Sequence, residues 1–140
     1  MNVLSIGLGV IGQRHLRNIK SKYKNINFYT LKSKHSKQLY NSNNAIKGDV
    51  NLKYNLKTIN LSNINQSVKI HAAFICLPHH LHAKFLKILV DKKVHLFLEK
   101  PCGINKKDFR ILIKAQKKIK KYKLKVMAGY HLRFHPMISK

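Results

Sequence analysis

Six residues near the amino terminus limit the fold more than any others: Gly7-Leu8-Gly9-Val10-Ile11-Gly12. Ahead of them, Asn2–Ile6 is a short apolar run with β-branched content that stops at glycine, the pattern of a buried strand. Behind them, Ile11, His15, Leu16, Ile19 and Tyr23 recur at the spacing of one helix face, with Arg14, Arg17 and Lys20 on the other. Basic residues toward the end of that helix suit the negative pole of its dipole. Ile26–Thr30 reads as a second strand. Strand, glycine bend, helix and strand within about thirty residues make one βαβ unit with a right-handed crossover.

The text from Lys32 to Ser67 is polar, rich in asparagine and weakly periodic. It reads as a helix near Lys37–Ile46, a short strand around Leu52–Asn55 and a loop or short helix near Leu61–Ser67. Stronger signals follow. Ala72–Leu77 is an apolar strand closed by Pro78; Leu81, Phe85, Leu86, Ile88 and Leu89 mark a helix; Val94–Leu98 is another buried strand, ending at Glu99. Asn105 with Asp108 three residues on resembles a capping pair. It opens a helix expected to turn Phe109, Leu112, Ile113, Gln116 and Ile119 inward and its lysines outward. Lys125–Tyr130 is the last strand. Near-continuous apolar strands alternating with amphipathic helices predict an α/β fold, a doubly wound and mostly parallel sheet with helices on both faces. With no internal repeat and no Pro/Gly-rich linker, residues 1–140 read as one domain.

The glycine segment carries chemistry because of where it lies. Between a strand and a helix, Gly7 permits the tight turn, Gly9 lets the backbone approach a pyrophosphate and Gly12 allows close helix–strand packing. The helix start at Val10, Ile11 and Gly12 then offers unpaired N–H groups to phosphate oxygens. Dinucleotide sites of this type usually carry an acid about twenty residues further on, for the adenosine ribose. Here that position falls in Leu31-Lys32-Ser33-Lys34, with no acid near. A cation and a hydroxyl, Lys32 and Ser33, suit a 2′-phosphate, so NADP(H) is expected over NAD(H). The plainer alternative is that Lys32 is one more lysine in a lysine-rich chain.

Lys and Arg number 29 against 4 acids, a formal net charge of +25. Such a balance raises nucleic acid as an alternative partner. The excess is nearly all lysine, however, and it spreads along the whole chain. Phe28, Phe74, Phe85, Phe97 and Phe109 fall mostly at core-facing positions, where they could not stack on bases. A soluble, self-repelling surface is the better reading, and nucleic acid is not expected. No apolar run reaches the ~18 residues of a membrane span. Two cysteines, Cys76 and Cys102, are too few for a disulfide framework, so a reducing, cytoplasmic location is expected. His79, His80 and His82 stand close in sequence, but they should diverge where a helix begins after Pro78, and no metal site is expected.

Four segments together resemble the Gfo/Idh/MocA family, the glucose–fructose oxidoreductase and inositol dehydrogenase type of enzyme. They are Gly7–Gly12 followed by His15, Leu77-Pro78-His79-His80-Leu81-His82-Ala83, Glu99-Lys100-Pro101, and Gly129-Tyr130-His131-Leu132-Arg133-Phe134-His135-Pro136. The resemblance implies a Rossmann NAD(P)-binding domain of an oxidoreductase acting on a sugar, cyclitol or related hydroxyl or carbonyl substrate. It implies that Leu77, Pro78 and His79 lie beside the ribose and nicotinamide. It further implies that Glu99 and Lys100 line the nicotinamide pocket, with Lys100 near the reacting substrate hydroxyl as the catalytic residue.

The residues themselves make that role sensible. Glu99-Lys100-Pro101 ends a buried strand, where open α/β sheets place ligands. A cation there stabilises alkoxide character and relays a proton. The alternative is a structural ion pair closing the strand. Two departures stand out. Lys93 occupies a place where the family normally has glycine, at a cost on the order of 1 kcal/mol if the backbone is left-handed. The family also continues into a second domain that builds the substrate pocket, so this chain reads as the cofactor half, either truncated or completed by a partner chain. Turnover by it alone is not expected. Uncovered apolar surface makes self-association an expectation; a non-catalytic remnant is the third reading.

Overall fold

The computed structural model describes residues 1–32, 38–41, 43–130, 135, 137 and 138. Strand β1 (Asn2–Ile6) leads through the glycine bend into helix α1 (Val10–Lys22) and returns as β2 (Asn27–Leu31). Then come β3 (Gln38–Asn41), β4 (Asn44–Asp49), helix α2 (Val50–Tyr54) and β5 (Lys57–Ile59). The second half runs β6 (Ala72–Ile75), α3 (His82–Asp91), β7 (His95–Leu98), α4 (Lys106–Lys121) and β8 (Val126–Ala128). Six strands form one sheet in the order β5-β2-β1-β6-β7-β8, paired in parallel throughout. Leu4 of β1, for example, lies opposite Tyr29 of β2 and Ala73 of β6.

Both faces of the sheet are covered, as near-continuous apolar strands require. Leu4, Ile6, Ala73, Ile75, Leu96 and Leu98 pack with Leu86, Leu89 and Val90 of α3 and Ala115 of α4. Val3, Phe28 and Phe74, on the opposite face, pack with Leu16 of α1 and with Leu39, Val50 and Tyr54. Parallel strands deliver their following loops to one edge. Gly7, Lys32, Leu77 and Pro78, Glu99 and Lys100, and Gly129 therefore all emerge at the carboxyl edge of the sheet. The strand order reverses beside β1, where β2 flanks it on one side and β6 on the other. Open α/β sheets form their ligand crevice at such a switch point.

Helices α3 and α4 end in the same way. After α3, the amide of Lys93 donates to Val90 O and that of Val94 to Leu89 O, both at 3.0 Å. After α4, Lys123 donates to Lys120 O and Leu124 to Ile119 O. These are Schellman closures, which need a left-handed residue just past the helix. Lys93 has φ 56° and Lys123 φ 52°. The strain expected of Lys93 is thus real, and Lys123 repeats it. The Lys93 ammonium lies 5.2 Å from the centroid of the Tyr122 ring, a partial compensation.

Four expectations are corrected. Where a helix was expected over Lys37–Ile46, β3 and β4 form an antiparallel hairpin. Its anchors come from α1: buried Gln13 donates through Nε2 to Gln38 O and accepts from the Tyr40 amide through Oε1, while Arg17 donates to Tyr40 O. Where a strand was expected around Leu52–Asn55, α2 forms instead, because Asp49 caps it by accepting from the Asn51 amide at 2.7 Å; the strand comes later, as β5. In α4 the buried side is Asp108 and Ala115 flanked by Ile111, Leu112 and Ile119, leaving Phe109, Ile113 and Gln116 exposed. Likewise Ile11 of α1 and Tyr23 just past its end are exposed, and only Leu16 of the expected inner face is fully buried.

Candidate functional site

The bend between β1 and α1 is built by absent side chains. Gly7 has φ 95°, and a Cβ added there would sit 2.3 Å from the Cys76 carbonyl oxygen. A Cβ on Gly12 would sit 1.9 Å from the carbonyl oxygen of Gly7. Both contacts are with backbone, so neither glycine can be replaced without moving the main chain. Gly9 is different. A Cβ there meets nothing within 4 Å. Gly9 is the N-cap of α1 and offers no side-chain cap, and no acid stands in the first turn. The first-turn amides of α1, at Val10, Ile11 and Gly12, therefore have no side-chain cap, and the space beside Gly9 at the positive pole of the helix is open. That is the cradle a diphosphate requires, and the donor set fits one.

At the far side of the switch point the chain builds a second cluster. Glu99 and Lys100 follow β7, and the Lys100–Pro101 peptide is cis. His15 of α1 donates through Nε2 to Glu99 Oε1 at 2.9 Å. Its ring lies against Phe97 edge-on at 4.9 Å between centroids and beside Phe74 at 5.8 Å. Glu99 Oε2 accepts from the Lys100 amide at 3.3 Å. The Lys100 side chain is exposed at the same edge. His82, wholly buried, spans two loops: Nδ1 is 2.7 Å from the carbonyl of Pro101 and Nε2 is 2.7 Å from that of Leu77. His79 and His80 stay exposed in the short turn before α3, but the His79 ring stands edge-on to that of His82 at 5.8 Å between centroids, so these two do not diverge as expected.

Lys32 follows β2, exposed, its amide donating to Ile59 O at 2.9 Å. Ser33 lies outside the described residues, as do His131 to Phe134 and Pro136. Gly7, Gly9, Val10, Ile11, Gly12, Lys32, Leu77, Pro78, His79, Glu99 and Lys100 thus share one sheet edge. Among the described residues no group of three or more His, Cys, Asp or Glu could hold a metal, and no helix is long and apolar enough to cross a membrane. Burial, with the Glu99 carboxylate adding to it, pushes the Cys76 thiol up to about 12. Burial also raises the Cys102 thiol. Of the phenylalanines expected in the core, Phe109 is exposed.

Three contacts carry no signal in sequence. Gln13, the residue after the last glycine of the bend, is polar, yet it is fully buried and ties α1 to the hairpin. The partnership of His15 with Glu99 joins residues 84 positions apart. The bridge made by His82 depends on two carbonyls that face one another only in the folded chain.

A parallel sheet with a bare glycine bend at its switch point defines a dinucleotide-binding domain of the Rossmann type. Comparison with known proteins agrees. The profile described as "Oxidoreductase family, NAD-binding Rossmann fold" matches residues 1–130, and the chain belongs to this Gfo/Idh/MocA family. Over 71 residues it is 31% identical to the uncharacterized oxidoreductase YrbE of Bacillus subtilis, a match over 51% of this chain and 20% of YrbE. Its fold is shared with scyllo-inositol dehydrogenase of Lactobacillus casei, solved with NAD(H) and scyllo-inositol (TM-score 0.70, 20% identity, 97% of this chain and 38% of that one). It is shared too with the WlbA dehydrogenase of Chromobacterium violaceum, solved with NADH and UDP-GlcNAcA (TM-score 0.71, 13% identity, 99% and 37%). The chain therefore spans less than two fifths of the length of these solved relatives.

Proposed function

We propose that the domain binds NADP(H) in preference to NAD(H) and presents Lys100 to the reacting hydroxyl or carbonyl of a polyhydroxylated substrate such as a sugar or cyclitol. The open N-cap at Gly9 carries this reading. The amides of Val10, Ile11 and Gly12 bind the diphosphate; Gly7 and Gly12 keep the bend tight enough for it to approach. Lys32, with Ser33 beside it in sequence, receives the adenosine 2′-phosphate, where an acid would have repelled it. Leu77, Pro78 and His79 flank the ribose and nicotinamide. The bound dinucleotide supplies a nicotinamide that takes or gives a hydride. Lys100 contributes a cation beside the substrate oxygen, stabilising alkoxide character and holding the proton that moves with it.

Titration of the chain with NADPH and NADH, followed by nucleotide fluorescence, tests the reading. NADPH is expected to bind more tightly. Lys32→Asp is expected to weaken NADPH by about tenfold, the loss of one charge-assisted contact, and to leave NADH nearly unchanged. No affinity for either nucleotide overturns the proposal; equal affinities that Lys32→Asp does not alter overturn the NADP(H) preference alone.

A further inference from the structure

The Glu99 carboxylate is held from three directions. His15 donates to Oε1 at 2.9 Å, the Lys100 amide donates to Oε2 at 3.3 Å, and Gly129 closes the remaining side. A Cβ on Gly129 would stand 3.3 Å from Oε2 and 3.1 Å from Cζ of Phe97, so the bare glycine leaves room for the carboxylate and nothing more. His15 is fixed in turn by Phe97 and Phe74, which border its ring. Its own backbone belongs to α1, between the open amide cradle and the buried Leu16.

The His15 and Glu99 side chains are only 25% and 22% exposed, so the pair is largely withdrawn from water and held in one geometry. That arrangement is well suited to transmitting position. One rigid helix touches the diphosphate cradle at its first turn and Glu99 from its second. Glu99 then grips the amide of the residue whose side chain does the chemistry.

We propose that His15 is a positioning residue that, through Glu99, locks the Glu-Lys-Pro turn and Lys100 to the helix whose amino end receives the diphosphate. The inference rests on the cofactor reading above and adds a coupling to it: the diphosphate end and the nicotinamide end of the site are set by one helix. Ligands reaching both ends should feel the lock. Ligands reaching only the diphosphate and adenosine should not.

The test compares NADPH and NADH with the same ligands lacking nicotinamide, 2′-phospho-ADP-ribose and ADP-ribose. His15→Ala is expected to weaken the tighter-binding dinucleotide by about tenfold and its nicotinamide-free counterpart by no more than about twofold. His15→Gln, whose amide can still donate to Glu99, is expected to restore most of the loss. Gly129→Ala perturbs the same carboxylate with His15 intact, and is expected to give the same split should His15→Ala fail to fold. The reduced-nicotinamide emission of the bound dinucleotide should change in both variants. Unchanged dinucleotide affinity in His15→Ala overturns the proposal, and so does an equal loss for both ligand types, which marks a merely structural histidine. An unaltered chain that binds no ligand of either type overturns the cofactor reading itself.

Discussion

The two outer glycines of the bend and the middle one should respond oppositely to the same methyl group. At Gly12 the added Cβ would lie 1.9 Å from Gly7 O and 3.0 Å from the Gly7 carbonyl carbon. An ordinary contact is at least 3.4 Å, so helix and strand must part by more than an ångström. Overpacking of that kind costs about 1–3 kcal/mol. For a domain of this size, that lowers the melting temperature by roughly 3–12 °C. At Gly9 the Cβ meets nothing within 4 Å, and φ is −72°. Gly9→Ala should therefore hold stability or raise it by about 0.5 kcal/mol, through the less flexible unfolded chain. The same methyl fills the cradle over the uncapped amides. Dinucleotide affinity should fall more than about tenfold, near 1.4 kcal/mol. Urea unfolding and fluorescence titration of both variants separate the two effects. A Gly9→Ala protein that binds NADPH as tightly as the parent would refute the reasoning.

Other consequences are simpler to check. Lys93→Gly and Lys123→Gly each relieve a left-handed lysine and should each stabilise the domain by about 0.5–1 kcal/mol in urea, Lys93→Gly the less because it gives up the Tyr122 contact. Burial raises the Cys76 thiol, so iodoacetamide at pH 8 should modify it far more slowly in the folded chain than in urea; equal rates in the two states would contradict the shift. Ile113 and Met127 lie exposed at the groove between α4 and β8, and Phe109 is exposed on α4 as well. The net charge of +25 opposes contact between copies. Light scattering should therefore show self-association growing with salt as that repulsion is screened, and a monomer at every ionic strength would count against it.

The parts of the fold that sequence discloses are those governed by local physics. The apolar run at Asn2–Ile6, the glycines after it and the buried strands ending at Pro78 and Glu99 each follow from short-range pattern, and together they bring the candidate residues to one edge. The hairpin of β3 and β4 does not. Its asparagines, Lys47, Gly48 and Asp49 have weak strand preference, and what holds it is the side chains of Gln13 and Arg17, more than twenty residues earlier. α2 was legible in principle, since Asp49 is a good N-cap, but five helical residues leave almost no periodicity. The inner face of α4 differs from the expected one because Phe109 and Ile113 extend its apolar stripe past the side that α3 and the sheet cover. Within the site, Gly9, Lys100, His15 and His82 are all visible as members of motifs. The contacts by which the two histidines hold those motifs against each other are not, because their partners are distant in sequence or meet only in the folded chain.

Whether a dinucleotide lies along the carboxyl edge is seen most directly in the amide spectrum of the 15N-labelled chain during NADPH addition. The account predicts saturable shifts that are largest at Val10, Ile11 and Gly12, with further shifts at Leu77 and Lys100. Shifts confined to the lysine-rich surface of α4, or changes that never saturate, would contradict it.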